Sequence, residues 1–313
     1  MLDEWLKQCN NRIITNSDLD GVFSAMLLQK YYGVRVVGLT NSSDMIMAET
    51  WGDFVKAAYI DMYMADQSVY SVDQHVIAYD KDECVALLAN ERKLNPNLER
   101  QRSFTSGFTK KFPFSTFHYL IAIMARDGIE FKSPSEWFTR LSLRVDDVAS
   151  VFTRYAENVD EWWGYMSENF NAPPFIGESI EYVRRLDNPG ELKTEVERFL
   201  KENFDCETKD GGFKRISDDG VMNRNLLKMF HYVAELFNVD VDYLDNVEYR
   251  SIKRDTMRAR ICTNLNKDGI MSYAYINSPK TNKAYNFSCT FKKGRNKTWE
   301  RQEGEAEKSL QVS

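Results

Sequence analysis

The stretch Arg12-Ile13-Ile14-Thr15-Asn16-Ser17-Asp18-Leu19-Asp20-Gly21-Val22-Phe23-Ser24-Ala25 decides how the chain is read. Residues 12–15 are a short β-branched run and residues 17–21 an acidic turn. Residues 22–32 then carry Val22, Ala25, Met26 and Leu28 at helical spacing. Gly33 stops that helix, and residues 34–39 read as a second strand. Strand, turn, helix, strand is the grammar of a parallel sheet with helices packed outside it. In such sheets ligands sit beyond the carboxyl ends of the strands, which is where the acidic turn falls.

Working outward, residues 57–60, 71–72 and 76–77 are further short strand candidates. Residues 82–165 read as mostly helical, most clearly over 114–126 and 145–155, with Trp162 and Trp163 closing the segment. Pro173 and Pro174 cannot continue a helix, so residues 171–174 mark a boundary. Helix returns over 179–204 and 223–237. Beyond Val239 the alternating segments 258–263, 270–276 and 285–291 predict an antiparallel meander, followed by a loose polar tail from 304. The expected fold class is therefore α/β: a parallel-sheet N-terminal domain over 1–170, a helical connector over 171–238, and a smaller α+β C-terminal domain over 239–313.

Hydrophobic residues at 43% and charged residues at 28% are the balance of a soluble chain able to bury a core. A net charge of −6 argues against a surface that clings to nucleic acid everywhere, while leaving room for a local basic groove. Five scattered cysteines with no CxxC pair read as reduced thiols, not as a disulfide frame or a zinc site. Neither a basic-then-apolar leader in residues 1–10 nor an apolar run of the ~18 residues a membrane span needs is present, so the expectation is a cytoplasmic protein without a membrane partner.

Asp18 and Asp20, one residue apart after a buried strand, can point the same way at its carboxyl end. Gly21 permits a tight turn there, and Ser24 lies in the helix's first turn, where a hydroxyl and free N–H groups can meet a substrate anion. The plain alternative is that both aspartates cap the helix. Asp61 and Asp73, however, also end apolar runs. Acids from successive strand ends would repel one another and hold raised pKa values unless a cation compensates them. Hard oxygen ligands suit Mg²⁺ or Mn²⁺, and two such ions about 3.5–4 Å apart clamp a phosphoryl group.

The segment from Asp18 to Ala25 resembles the first motif of the DHH phosphoesterase superfamily, in which D-x-D-G follows a strand and S-A opens a helix. Asp61 resembles the lone aspartate of the second motif, and Asp73-Gln74-His75 stands where the family has Asp-His-His. Arg144-Val145-Asp146-Asp147-Val148-Ala149 resembles the fourth motif; Asp147 is the preferred match because Val148 follows it, with Asp146 as the alternative. The resemblance spans residues 11–165 and implies a DHH-like N-terminal domain holding two divalent ions. It implies Asp18 and Asp61 on one ion, Asp20, Asp61 and Asp147 on the other, His75 against the scissile phosphate, and Asp73 in support.

Two positions depart from the family, which has histidine ligands where this chain has Asn16 and Gln74. An amide can still offer a carbonyl oxygen, so the expectation is a site that keeps its metals and shifts from Mn²⁺ towards Mg²⁺. The competing reading is a disabled site in a protein that binds or sequesters nucleotides or nucleic acid. The family's C-terminal Gly-Gly-x-His loop has no counterpart, since Gly211-Gly212 lacks the histidine. A local substitute is the basic and aromatic stretch 280–301, with Lys292, Lys293 and Arg295 as candidate contacts to phosphates and stacked bases. The plain reading of that stretch is a core of rings under a solvated basic face. His118 and His231 read as packed histidines, and Lys110 and Lys111 lack P-loop spacing.

The function expected from all this is a metal-dependent phosphodiesterase or exonuclease on single-stranded or short oligonucleotides, with a cyclic dinucleotide as an alternative substrate. A part in a larger nucleoprotein assembly is a third reading, and a homo-oligomer is compatible with each.

Overall fold

In a computed structural model of the protein, the stretch that opens the reading forms the centre of a 7-stranded sheet. The structure describes residues 1–41, 44–47, 56–64, 67–208, 211–213, 215–218, 221–245, 250–253, 269–277 and 284–293. α1 (Leu2–Lys7) leads into β1 (Arg12–Asn16), and α2 (Leu19–Tyr32) crosses to β2 (Arg35–Thr40). β3 (Asp44–Met47), β4 (Ala58–Ile60) and β5 (Ser71–Val72) follow, then α3 (Lys81–Leu88) and β6 (Lys93–Leu94). The sheet order is β6-β5-β4-β1-β2-β3, and its last strand is β9 (Arg250–Lys253). The strands from β6 to β2 are parallel to their neighbours; β3 is antiparallel to both β2 and β9. The fold is thus α/β with a mixed, mostly parallel sheet.

Sequence patterning sets the two faces of this sheet. Ile13, Val36, Ala58 and Ile60 point into the main helical core, while Ile14, Val37, Ala57 and Tyr59 join a smaller cluster. That is the period of two expected of a strand buried on both faces. Gly33 ends α2 in the left-handed conformation at φ 62°, as the sequence predicts. Residues 76–77, read as strand, are buried but outside any strand.

The helices α4 (Pro96–Glu99), α5 (Thr116–Arg126), α6 (Glu136–Arg144), α7 (Val148–Arg154) and α8 (Ala156–Asn169) come next, with a loop over 100–115 inside the segment expected to be mostly helical. α9 (Pro174–Arg184) and α10 (Pro189–Phe204) divide the single helix read over 179–204. Pro189 takes the first helical turn of α10, with Asn188 capping Gly190 N–H. The hairpin β7 (Ser217–Asp218) and β8 (Val221–Met222) precedes α11 (Arg224–Phe237).

The core does not stop at residue 170. Phe23 of α2 packs against Phe117 of α5 at 5.3 Å and Phe237 of α11 at 5.8 Å, and Phe131 against Phe175 of α9 at 5.0 Å. Such ring pairs stabilise beyond their buried area. The segment read as a connector therefore supplies part of the central core, and residues 250–253, read as part of a separate domain, complete the edge of the main sheet. β10 (Gly269–Asn277) and β11 (Ala284–Lys293) pair antiparallel, in agreement with two segments of the expected meander; the third, 258–263, lies outside the described residues.

Candidate acidic active site

The chain leaves β1 for α2, fills the β2 side of the sheet, and returns on the other side at β4. Between β1 and β4 the winding reverses, and in open α/β sheets the carboxyl ends of the strands at such a reversal are where ligands sit. Asn16 ends β1, Asp61 follows β4 directly and Asp73 follows β5 directly. Topology alone therefore brings residues from three stretches to one place.

Local chemistry fixes each one. Asp18 caps α2, its Oδ1 accepting from Gly21 N–H at 3.1 Å. Gly21 serves close approach, not the tight turn expected of it: an added Cβ would lie 2.1 Å from the Asn16 carbonyl oxygen. Asn16 Nδ2 donates to Asp18 at 2.9 Å and to Asp61 at 3.2 Å, so one amide ties the two strand ends together. Asp61 holds a left-handed backbone at φ 60°, which non-glycine residues seldom take and aspartate takes better than most. Its Oδ1 also accepts from Thr116 Oγ1 at 2.9 Å.

Asp20 is buried and caps a helix, though not its own. Its two oxygens accept from Thr116 N–H and Phe117 N–H, each at 2.8 Å, at the start of α5. Ser24, also buried, donates to Asp20 Oδ1 at 3.4 Å, so its hydroxyl turns to a protein carboxylate and is not held open for an anion. Burial, with Asp146 and Asp18 nearby, pushes the Asp20 carboxyl up to about 8 despite those backbone donors. Burial likewise holds Asp61 well above the carboxylate range, reinforced by Asp20, Asp18, Asp146 and Asp73.

Asp73 Oδ1 pairs with His75 Nδ1 at 2.8 Å, while its Oδ2 is buried without a hydrogen-bond partner. Burial works against the protonated His75, but the charge and hydrogen bond of Asp73, with Asp146, outweigh it and raise the imidazole pKa; Lys111 opposes them. Gln74 Nε2 donates to Asp146 and lies 3.4 Å from His75 Nε2.

Asp146 and Asp147, read from the sequence as alternatives, go to different partners. Asp147, preferred from the sequence, faces away: it accepts from Lys193 at 2.9 Å, Ser150 at 2.7 Å and Arg144 at 3.4 Å. Burial alone would raise it, but those donors bring its pKa below the usual value. Asp146 is the residue that acts on Asp20, Asp61 and His75. Both take positive φ, 49° and 57°, and the turn they make sends their side chains to different partners.

Sequence reasoning missed Thr116, whose hydroxyl and N–H touch two of the acids. It also missed Asn95 and Asn97, whose amides hold the carbonyls of His75 and Gln74 at 2.8 and 2.7 Å. Lys292 and Lys293 lie on β11 opposite Ile270 and Gly269, and Arg295 lies outside the described residues. His118 is packed as expected, stacked on Phe175 and bonded to Ser115 at 2.8 Å. His231 is not: it is 38% exposed and meets Asp245 at 2.8 Å.

The donors gathered here are of the class a hard divalent ion takes, because five aspartates supply oxygen, and Asp73 carries a buried oxygen with no partner. The set is nevertheless loosely drawn. Among the described residues, the one trio of His, Cys, Asp or Glu with ligand atoms all within 4.8 Å of one another is His231, Asp242 and Asp245, outside the cleft. The Asn16 amide stands between Asp18 and Asp61, and backbone donors hold Asp20, so the acids meet through intermediaries. Comparison with protein-family models, curated proteins and solved structures finds no match. No helix among the described residues is long and apolar enough to cross a membrane.

Proposed function

We propose that this protein is a metal-dependent phosphodiesterase of the DHH type. The observation that carries the reading is the gathering of Asp18, Asp61 and Asp73 at the ends of adjacent parallel strands, with Asp20 and Asp146 turned towards them, although burial makes so many acids costly together. Carboxyl groups concentrated at a topological switch point, at a cost that a cation would relieve, are better explained by a cationic ligand than by folding. Asp18, Asp20, Asp61 and Asp146 would hold two ions, Mg²⁺ or Mn²⁺, with Asp73 beside them and the carbonyl oxygens of Asn16 and Gln74 available after an amide flip. A bound ion of this class polarises a phosphoryl group and lowers the pKa of water.

The chain's own contribution is positioning. Asp73 fixes His75 through Nδ1 and favours its protonated form, which makes His75 a donor suited to a phosphate oxygen. Oligonucleotides as the substrate class follow from the sequence resemblance, not from a feature of the cleft. Hydrolysis of a fluorogenic dinucleotide with added Mg²⁺ or Mn²⁺, compared with Asp61→Ala, tests the reading. Activity with Mg²⁺ that Asp61→Ala abolishes supports it; wild-type rates no higher than the variant's with both cations would sink it.

A second reading has its own observation. Asn16 and Gln74 donate to Asp18, Asp61 and Asp146, so amide hydrogens stand where a cation would otherwise neutralise charge. On that reading the cleft binds nucleotides without cleaving them. Calorimetric titration separates the two, because this second form takes up neither Mg²⁺ nor Mn²⁺.

A further inference from the structure

Beside the acidic cleft, three cations converge on one carboxylate. Arg100 and Arg102 each place an Nη2 2.6 Å from Glu161 Oε1, and Lys110 Nζ lies 3.0 Å from Glu161 Oε2. The arginine side chains are only 16% and 20% exposed. A brace between the 100–111 loop and α8 needs one such pair. Gathering further positive charge in a half-buried place costs free energy through repulsion and desolvation. The excess has unused donors as well: Arg100 Nη1 and Arg102 Nε are buried with no hydrogen-bond partner. Those two atoms are closed to solvent, so a phosphate would meet the Nη2 and Nζ donors that now face Glu161, and guanidinium groups suit it because its oxygens accept two parallel bonds.

The group is built into place. Arg100 lies over the rings of Trp162 at 4.5 Å and Tyr165 at 5.0 Å. Gly107, at φ 77°, leaves room for the Arg102 stem, since a Cβ there would come within 2.9 Å of Arg102 Cδ. Trp162 Nε1 donates to the Lys110 carbonyl at 2.9 Å. The same loop is anchored to the cleft, because Asn97 accepts Arg102 N–H at 2.7 Å while its side chain holds the Gln74 carbonyl. The neighbouring Lys111 is near enough to His75 to act on its charge.

We propose that Arg100, Arg102 and Lys110 form a phosphate subsite that takes a terminal phosphate monoester of the substrate, with Glu161 holding the cations in place until it arrives. The word substrate rests on the function proposed above; the binding itself does not require hydrolysis.

The test is calorimetric binding of two dinucleotides of the same bases, one with a 5′-phosphate and one with a 5′-hydroxyl, with inorganic phosphate alone as a third titrant. The phosphorylated dinucleotide should bind about tenfold more tightly to the wild type. Arg102→Gln should reduce that preference to about twofold or less, and so should Lys110→Gln, which changes a side chain 59% exposed and leaves the fold intact. Arg184→Gln, on the surface pair with Asp160, should leave it unchanged. Equal affinities for the two dinucleotides, binding of neither, or a preference that survives both substitutions would overturn the proposal. So would inorganic phosphate binding without a dinucleotide preference, since the site would then serve a free anion. A preserved preference in a protein that hydrolyses nothing would refute the phosphodiesterase and leave the subsite standing.

Discussion

Asp146 and Asp147 carry the same side chain on the same kind of backbone, yet they do different work. Asp146→Ala is expected to abolish hydrolysis and cation uptake while leaving the fold's stability nearly unchanged. Asp147→Ala should retain activity and lose about 1–2 kcal/mol, since it strips partners from Lys193 and Arg144. Parallel denaturant curves and rate measurements on the two variants check both halves; loss of activity only with Asp147→Ala would reverse the assignment. The sequence could not separate this pair, because the deciding partner, Lys193, lies 46 residues away. Asp61 and Asp73 were legible for the opposite reason: each directly follows the apolar run that buries its strand. His118 gives a further test. Its pKa is lowered to about 3 by burial alone, so the fold keeps it neutral where an unfolded chain would be protonated. The unfolded state then binds more protons below about pH 6.5, and stability falls as pH drops from there towards 3, by up to ~1.4 kcal/mol per unit. In a melting series from pH 7 to 4, His118→Asn should lose less stability on acidification than the wild type; equal slopes would refute the assignment.

At the scale of elements, the contact that matters most is between α2 and α5. Ser115 gives α5 no side-chain cap, and Asp20 supplies one from 96 residues away. Asp20→Ala would leave two buried N–H groups unpaired and should cost about 2–4 kcal/mol in chelator-treated protein, with Asp20→Asn milder because its carbonyl still accepts. Gly21→Ala forces a methyl against the Asn16 carbonyl and should cost at least about 3 kcal/mol. Chemical denaturation read by tryptophan fluorescence measures both, and a loss under about 1 kcal/mol in either case would contradict the packing described. The β1-α2-β2 unit was readable because apolar spacing, Gly21 and Gly33 are all local signals. β3 was hidden in a short stretch, Asp44–Met47, whose partner β9 comes some 200 residues later. The cap on Thr116 was hidden likewise: a remote carboxylate leaves no mark beside the helix it serves.

For the molecule as a whole, the expected boundary after residue 170 meets a continuous cluster of rings. Phe175 and Phe237 pack with Phe117, Phe131 and Phe138, so a chain ending at 170 exposes the centre of its own core. Such a fragment should lack near-ultraviolet dichroism and unfold without a sharp transition; cooperative melting of the fragment would show that the first half folds alone. Proline and polarity in residues 171–174 mark a change of direction, which sequence cannot tell from a change of domain. Asp20 joins these scales, because it faces the cleft while gripping the turn from which Phe117 enters those rings. Whatever settles beside Asp20 therefore pulls on the central cluster of rings. Heating becomes a detector: a panel of salts and phosphorylated compounds, screened only for raised melting temperature, would pick out the natural ligand before anyone knew the reaction.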